Sequence, residues 1–197
     1  MRENLVGIGD SITLGAYGQN ENIQSQIYPL MARPLAIVNQ GIPGVIIDTI
    51  TPLITGGRLS QVYRANGTNI ATVWAGTNNL YANSGDNENT TWTKLQVLCA
   101  AVRAAGFKIV LVTMLPRDWS AGTAGNTDTN RLAFNTLVRN GWSSIADALA
   151  DVGADPTMGP TAAYSNLALY GDGVHPTPLG YSYLAPIITS SINSLLT

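Results

Sequence analysis

The chain alternates short apolar runs with longer segments whose apolar residues recur at helical spacing. Five runs have the length of β-strands and are bounded by glycine, proline or polar residues, at 5–8, 35–38, 69–75, 107–115 and 145–150. The fourth run is almost continuously apolar and ends at Pro116, which is typical of a strand buried on both faces. The pattern therefore predicts five strands.

Helical segments separate these strands. They lie at 27–33, 45–54, 90–105, 129–140 and 177–196, with Thr90 as the cap of the third, whereas 16–25 and 83–89 are expected to be loops. Strands that alternate with helices predict a parallel sheet, and right-handed crossovers cover both of its faces. We expect a three-layer α/β/α sandwich with a five-stranded sheet, forming one domain over residues 1–197.

Charged residues are scarce. They make up 11% of the 197 residues, against about 25% in an average protein, and the formal net charge is −2. Uncharged polar side chains therefore supply most of the surface, which suits a neutral partner such as a carbohydrate. Because the chain has no basic run, we do not expect nucleic acid or an anionic membrane as a partner. No apolar run reaches the ~18 residues of a membrane span.

Cysteine and histidine each occur once. Cys99 lies in an apolar run, which indicates a buried, unreactive thiol that has no intrachain disulfide partner. The chain has too few ligands for a zinc site and no Walker A or dinucleotide-binding motif, so we expect no metal and no cofactor. Since no export signal precedes the first strand, we expect an extracellular mature or excised domain, or otherwise a cytoplasmic protein. The oligomeric state is left open.

Polar or glycine residues follow three of the predicted strands. Ser11 follows the first strand, Gly41 the second and Asn78 the third. The carboxyl ends of parallel strands share one edge of the sheet, where ligands bind in open α/β proteins. Ser11 is therefore a candidate nucleophile. The alternative is ordinary helix capping, since Asp10 and Ser11 are both favoured caps.

The single histidine, His175, lies before the last predicted helix. Asp172 stands three residues earlier in a turn with Gly171 and Gly173, close enough to orient the imidazole. Serine, histidine and aspartate can act as nucleophile, base and orienting group, provided that folding brings this turn to the edge that carries Ser11. The alternative is a tight turn with a surface histidine.

Four short motifs resemble, in order, the sequence blocks of the SGNH hydrolases, also called GDSL-type esterases and lipases. They are G-D-S at 9–11, the glycine at 41, G-T-N at 76–78 and D-G-V-H at 172–175. Each block is short, but their order and their places after the predicted strands make the resemblance specific over nearly the whole chain. The resemblance implies a flavodoxin-like sandwich that hydrolyses esters.

The resemblance also implies a role for each residue. Ser11 would be the nucleophile, His175 the base and Asp172 its partner. The backbone N–H groups of Ser11 and Gly41 and the side-chain amide of Asn78 would form an oxyanion hole, which stabilises the charge that develops on the ester oxygen. We expect a serine esterase acting through an acyl-enzyme on short acyl groups such as acetyl, with carbohydrate esters among the candidate substrates.

One position departs from the family pattern. The third block usually reads G-x-N-D, whereas this chain has Asn79 in the last place. An amide can accept a hydrogen bond in place of a carboxylate but carries no charge. The departure puts the local support of this loop in doubt and leaves the expected role of Asn78 intact.

The loops after the third and fourth strands are expected to supply the walls of a substrate pocket. The candidates are Leu80, Tyr81, Arg117, Asp118 and Trp119. The alternative for each is ordinary loop packing. No long apolar lid is evident in the sequence, which favours a short acyl group over a fatty acid.

Two other functions stay open at this point. A non-catalytic glycan-binding module on the same fold would use the uncharged surface, although the presence of all five candidate site residues favours an enzyme. A phosphatase with Asp10 as nucleophile would need magnesium. An α/β-hydrolase is excluded, since it would need a G-x-S-x-G elbow.

Overall fold

The computed structural model describes residues 3–17, 22–81, 85–120 and 127–196. Its strands are β1 (Asn4–Gly9), β2 (Ala36–Gly41), β3 (Asn69–Trp74), β4 (Lys108–Val112) and β5 (Ala148–Ala150). They form one sheet in the order β2-β1-β3-β4-β5, and every neighbouring pair is parallel. The predicted five-stranded parallel sheet is confirmed.

Helices lie on both faces of this sheet. They are α1 (Ser11–Leu14), α2 (Ile23–Ile27), α3 (Ile47–Thr55), α4 (Thr77–Tyr81), α5 (Glu88–Ala104), α6 (Asp128–Gly141) and α7 (Pro178–Asn193). One apolar cluster joins α2 and α7 to the sheet, and a second joins α3, α5 and α6 to it. The predicted α/β/α sandwich is therefore confirmed. Within the described ranges, no helix is both long and apolar enough to cross a membrane.

Alternate residues of the central strands point to opposite helical layers. Leu5 of β1 packs with α2 and α7, whereas its neighbour Val6 packs with α3, α5 and α6. Since β1 and β3 are buried along their whole length, both faces need apolar side chains. Cys99 of α5 is buried as expected, and this burial raises the pKa of its thiol to about 12.

The region before β2 differs from the sequence prediction. The expected loop 16–25 contains the start of α2, which the side chain of Asn22 caps. The expected helix 27–33 is instead the end of α2 followed by a 3₁₀ turn at Tyr28–Leu30. A helix of about one turn is too short to show a periodic apolar pattern. Residues 18–21, and residues 83–84 of the second expected loop, lie outside the described part of the chain.

Two helices after β3 also differ. The sequence predicts no helix at 77–81, where α4 lies, and this helix too is short. The long helix α5 begins at Glu88 rather than at Thr90, because the side chain of Asn87 is the N-cap and Thr90 completes a capping box.

Two glycines allow α1 to lie across the carboxyl ends of the central strands. A Cβ atom on Gly9 would lie 2.1 Å from the carbonyl oxygen of Trp74 and 2.2 Å from Oγ1 of Thr13. A Cβ atom on Gly41 would lie 2.3 Å from the backbone nitrogen of Leu14. Only glycine permits such close approach of backbone to backbone. These two positions therefore fix α1 against β1, β2 and β3.

The last helix is tied directly to α1. Tyr181 of α7 is fully buried, and its hydroxyl donates a hydrogen bond of 2.7 Å to the carbonyl oxygen of Ile12. Thr177 caps α7, and Pro178 occupies its first turn. The loop that precedes α7 is thereby brought to the same edge of the sheet as α1.

Candidate active site

Ser11 is the first residue of α1, immediately after the carboxyl end of β1. Asp10 is the N-cap, and its carboxylate accepts a hydrogen bond of 2.9 Å from the backbone N–H of Ile12. Because Asp10 performs the capping, the hydroxyl of Ser11 is left for another partner. The capping interpretation and the nucleophile interpretation of Asp10-Ser11 are therefore compatible.

A closed loop carries His175. Tyr170 and Pro176 form an antiparallel bridge at its base, and the N–H of Gly171 donates to the carbonyl oxygen of His175 at 2.9 Å. Gly173 has a φ of +79°, in the left-handed region that glycine adopts at little cost. This compact turn holds the histidine close to α1.

Three predicted site residues meet in one hydrogen-bonded row. Nε2 of His175 lies 2.7 Å from Oγ of Ser11, and Nδ1 lies 2.7 Å from Oδ2 of Asp172. In the tautomer that satisfies both contacts, Nδ1–H donates to the carboxylate and Nε2 accepts from the hydroxyl. The His175 and Asp172 side chains are 19% and 32% exposed, so the row is open to solvent.

The carboxylate of Asp172 is held by backbone as well as by the imidazole. Its Oδ1 accepts hydrogen bonds from the N–H groups of Val174 at 3.0 Å and His175 at 2.8 Å. Partial burial acts to raise the pKa of Asp172, but the hydrogen bonds from the His175 N–H and ring and the Val174 N–H outweigh it and hold this pKa below its ordinary value. The carboxylate is therefore charged at neutral pH and can stabilise an imidazolium.

Asp10 lies in a different environment. Its side chain is almost completely buried, and burial raises its pKa from 3.8 to about 6, against the hydrogen bond from Ile12 and the positive charge of Arg117. Burial and the capping bond leave it poorly placed to attack a substrate. Among the described residues, no group of three or more His, Cys, Asp or Glu side chains could hold a metal ion.

The three groups expected to bind an oxyanion have different partners. The N–H of Ser11, in the first turn of α1, has no acceptor within the described ranges. Nδ2 of Asn78 donates to the carbonyl oxygen of Val45 at 3.0 Å, which leaves its second hydrogen for a ligand. The N–H of Gly41, in contrast, already donates to Oδ1 of Asn39 at 2.9 Å.

The profile of the GDSL-like Lipase/Acylhydrolase family matches residues 8–183 of the sequence. The chain belongs to this family. A comparison with curated protein sequences gave no match. The family match begins at β1 and ends within α7, so it includes Ser11, Gly41, Asn78, Asp172 and His175.

Several solved structures of lipolytic proteins and esterases have the same fold. A lipase/acylhydrolase from Enterococcus faecalis is 19% identical, with 100% of this chain and 98% of that chain covered and a TM-score of 0.74. A lipolytic G-D-S-L family member from Veillonella parvula is 16% identical over 95% and 97% of the two chains, with a TM-score of 0.74. A carbohydrate acetylesterase from Sinorhizobium meliloti is 14% identical over 98% and 99%, with a TM-score of 0.75.

Asn79, which departs from the GDSL family pattern, is fully buried and supports its loop. Its Oδ1 accepts a hydrogen bond of 2.9 Å from the N–H of Ile47, at the start of α3. Its Nδ2 donates to carboxylate oxygens of Asp48 at 3.1 Å and Asp86 at 2.7 Å, and Lys94 pairs with both acids. Because two carboxylates converge here, a donor suits position 79 better than a third carboxylate. The expected weakness of this loop is therefore not found.

One of the five expected pocket walls, Leu80, has another role, whereas Asp118 stays a candidate wall. Leu80 is fully buried in the apolar cluster of α3, α5 and α6, so its prediction as a wall is wrong. The short helix α4 accounts for this, since it turns Leu80 inward. The backbone N–H of Asp118 donates to the carbonyl oxygen of Gly173 at 2.8 Å, which links the loop after β4 to the histidine loop.

The other three expected walls form one cluster near Asn78. The guanidinium carbon of Arg117 lies 3.6 Å from the centre of the Tyr81 ring and 5.7 Å from that of Trp119. The two rings lie 6.2 Å apart. The loops after β3 and β4 therefore meet in a cation–aromatic contact at the carboxyl edge.

Tyr17 lies beside His175, a position that nothing in the sequence predicts. Its ring stacks on the imidazole of His175, with centroids 6.1 Å apart and planes at 11°. Its φ of +67° is uncommon for a residue other than glycine. A Cβ atom on Gly171 would lie 2.3 Å from the Tyr17 ring, so this glycine makes room for the stack. In the sequence, Tyr17 precedes the polar run G-Q-N-E-N at 18–22, which has no periodicity and so gives no sign of such a role.

Asn39 is a second neighbour that the sequence does not reveal. Its Nδ2 lies 3.1 Å from the carbonyl oxygen of Thr13 and 3.0 Å from that of Leu14, and its Oδ1 accepts from the N–H of Gly41. The amide therefore joins the end of β2 to α1. Its place two residues before Gly41 is the only hint that the sequence offers.

Proposed function

We propose that the protein is a serine ester hydrolase that works through an acyl-enzyme intermediate. The observation that carries the proposal is the 2.7 Å contact between Nε2 of His175 and Oγ of Ser11, continued by the 2.7 Å contact between Nδ1 and Asp172. A serine hydroxyl becomes an effective nucleophile when an adjacent base accepts its proton. Membership of the GDSL-like family supports hydrolase activity, and this geometry favours the serine mechanism.

In the acylation step, Oγ of Ser11 attacks the ester carbonyl carbon while its proton passes to Nε2 of His175. The carbonyl electrons move to oxygen, and the charge of Asp172 stabilises the imidazolium. The tetrahedral intermediate then breaks its bond to the alcohol oxygen, which takes the proton from Nε2. Water repeats the same sequence on the acyl-enzyme, which releases the acid and returns the proton to Ser11.

The oxyanion that forms in both steps needs preorganised donors. The Ser11 N–H and the second amide hydrogen of Asn78 have no other partner in the described contacts and suit this role. We include Gly41 as a third donor that shares its N–H between Asn39 and the oxyanion. Such donors act more strongly in the transition state than in the ground state, and therefore raise kcat.

Short acyl esters of carbohydrates are the substrates we propose. Charged residues make up only 11% of the chain, so its polar surface consists mainly of hydroxyl and amide groups that suit a polyol. The carbohydrate acetylesterase from Sinorhizobium meliloti, which has the same fold, provides a precedent for such a substrate. The triad is open to solvent, which leaves room for a bulky alcohol beside a small acyl group.

The test compares hydrolysis of p-nitrophenyl acetate, butyrate and octanoate, and of an acetylated oligosaccharide, by the wild type and by Ser11→Ala. We expect the wild type to prefer acetate, and Ser11→Ala to lose about 10³-fold or more of kcat, because the variant lacks the nucleophilic hydroxyl. A phosphonate ester should label the wild type stoichiometrically at Ser11, which mass spectrometry of the tryptic peptide detects.

Ser60→Ala provides the matched control. Ser60 is exposed, and its hydroxyl donates only to the carbonyl oxygen of Gly57 in its own 3₁₀ turn, so this variant should keep wild-type activity. Equal turnover by the wild type and Ser11→Ala would refute the serine mechanism. Glycan binding without hydrolysis by the wild type would favour a binding module instead.

A further inference from the structure

Arg117 is a buried arginine without a carboxylate partner. It follows β4 at the carboxyl edge, and only 6% of the residue is exposed. No carboxylate within the described ranges forms an ion pair with it, and its Nε has no hydrogen-bond partner. Buried charges are rarely left in this state, because desolvation is unfavourable. We therefore looked for a function that explains why the guanidinium is buried here.

An aromatic platform holds the guanidinium, and we define it as the rings of Tyr81 and Trp119. Arg117 lies 3.6 Å above the Tyr81 ring, within the range of a cation–π contact. Nε1 of Trp119 donates to the carboxylate of Asp128 at 3.4 Å, and Asp128 forms a buried ion pair with Arg131. These contacts connect the platform to α6.

The guanidinium is directed at Asn78. Nη1 of Arg117 donates to Oδ1 of Asn78 at 3.4 Å, while Nδ2 of Asn78 donates to the carbonyl oxygen of Val45 at 3.0 Å. If the amide flipped, its NH₂ would face the cation and its oxygen would face a carbonyl oxygen. Both contacts would then be repulsive, so one orientation of the amide is strongly preferred.

We propose that Arg117 is a positioning residue that fixes the orientation of the Asn78 amide and polarises it as an oxyanion donor. A positive charge at Oδ1 draws electron density from the amide and makes its N–H a stronger donor. This role is part of the proposed ester hydrolysis, and it rests on that proposed function. Arg117 itself acts through Asn78 and does not contact the reacting atoms.

The role requires that Arg117 is charged. Burial lowers the pKa of Arg117, while Tyr81 and the negative charges of Asp10 and Asp172 act to raise it. An arginine stays protonated at neutral pH even when it is buried. Lysine would keep the charge but could not stack its planar group on Tyr81.

The test is a double-mutant cycle on kcat for p-nitrophenyl acetate, with Arg117→Met, Asn78→Ala and the combined variant. We expect Asn78→Ala to lower kcat about 10²- to 10³-fold, the usual effect of losing one oxyanion donor. Arg117→Met should lower kcat about 10- to 100-fold with KM changed by less than about threefold, because the affected interaction arises in the transition state. In the Asn78→Ala background, Arg117→Met should have at most about a threefold effect.

Arg117→Lys should retain more kcat than Arg117→Met, and the cycle is run with lysine if the methionine variant does not fold. Arg103→Met is the matched control, since Arg103 pairs with Asp147 at the surface. The proposal is overturned if the two losses multiply fully in the combined variant, or if Arg117→Met raises KM and leaves kcat unchanged, which would mark a substrate contact.

Failure of the proposed function would look different. If the wild type does not hydrolyse esters, or if Ser11→Ala is as active as the wild type, the serine mechanism fails and this proposal fails with it. If Ser11→Ala is inactive while Arg117→Met keeps wild-type kcat, only the role of Arg117 is overturned.

Discussion

Nε2 of His175 lies 2.7 Å from Oγ of Ser11, although 164 positions separate the two residues in the chain. Ser11 is held by α1, which Gly9 and Gly41 allow to pack on the strand ends. His175 is held by a turn whose carboxylate, Asp172, also accepts two backbone N–H groups. The contact between Ser11 and His175 therefore depends on two local structures, each of which is held by its own contacts.

Asp172→Asn should lower kcat about 10²- to 10⁴-fold, since an amide can neither stabilise the imidazolium nor impose the productive tautomer on His175. The hydrogen bonds from the backbone N–H groups, which help to keep the pKa of Asp172 below its ordinary value, can still be accepted by the asparagine oxygen. The fold should therefore survive. The measurement is kcat for p-nitrophenyl acetate between about pH 5 and 9.

Asp155→Asn is the control for this substitution, because Asp155 also accepts two backbone N–H groups, from Thr157 and Met158. It should keep wild-type turnover. If Asp172→Asn were as active as this control across the pH range, Asp172 would have no part in orienting the base.

Asp10→Asn should change the pH dependence of stability. Burial raises the pKa of Asp10 from 3.8 to about 6, so the native state binds more protons than the unfolded state between these values. Wild-type stability should therefore fall as pH rises through this window, by about 3 kcal/mol from this group alone. Asparagine keeps an acceptor for the Ile12 N–H without the charge. Urea unfolding at several pH values between about 3.5 and 7 measures the difference in unfolding free energy.

The variant should gain stability over the wild type as pH rises through this window. Asp118→Asn is the comparison, because hydrogen bonds from Ser120 lower the pKa of Asp118 and move its titration below the window. A difference between Asp10→Asn and wild type that stays constant with pH would contradict the burial effect.

Asn79→Asp, which restores the usual family residue, should destabilise this protein. The substitution removes the N–H groups that donate to Asp48 and Asp86, and it adds a third carboxylate beside them. Lys94 already pairs with both of these acids. Losing two hydrogen bonds to charged acceptors should reduce the free energy of unfolding by about 2–4 kcal/mol at pH 7. Urea unfolding measures this change.

The exchange variant Asn79→Asp with Asp86→Asn tests the cause. It puts the amide and the carboxylate back in contact with their positions swapped, and it should recover much of the lost stability. If Asn79→Asp were as stable as the wild type at pH 7, the convergence of charge at this site would not explain the departure from the family pattern.

The sequence is sufficient to predict the sheet and the contact of Ser11, His175 and Asp172, for different reasons. Buried strands such as β3 and β4 need apolar residues on both faces, so their pattern is clear, and parallel topology then brings their ends to one edge. The triad follows from a resemblance in four blocks and from the presence of a single histidine. Short helices such as α4 have no periodicity, and so Leu80 could not be assigned to the core from its sequence alone.

Contacts between distant loops are what the sequence could not reveal. The asparagine at position 79 is explained by its contacts with Asp48 and Asp86, and these two acids come from different segments of the chain. Arg117 could be named as a wall from its place after a strand, but its contact with Asn78 depends on how two loops pack. Such pairings arise from tertiary structure and leave no local pattern.

The bond from the hydroxyl of Tyr181 to the carbonyl oxygen of Ile12 joins α7 to the helix that carries Ser11. If α7 detaches, the strands can keep their hydrogen bonds while the imidazole of His175 moves away from Ser11. Under the proposed mechanism such partly opened molecules would be inactive. They form more readily than the unfolded state, because local opening requires less free energy than global unfolding. We therefore expect fraying of α7 to lower the turnover rate before it changes any signal from the sheet.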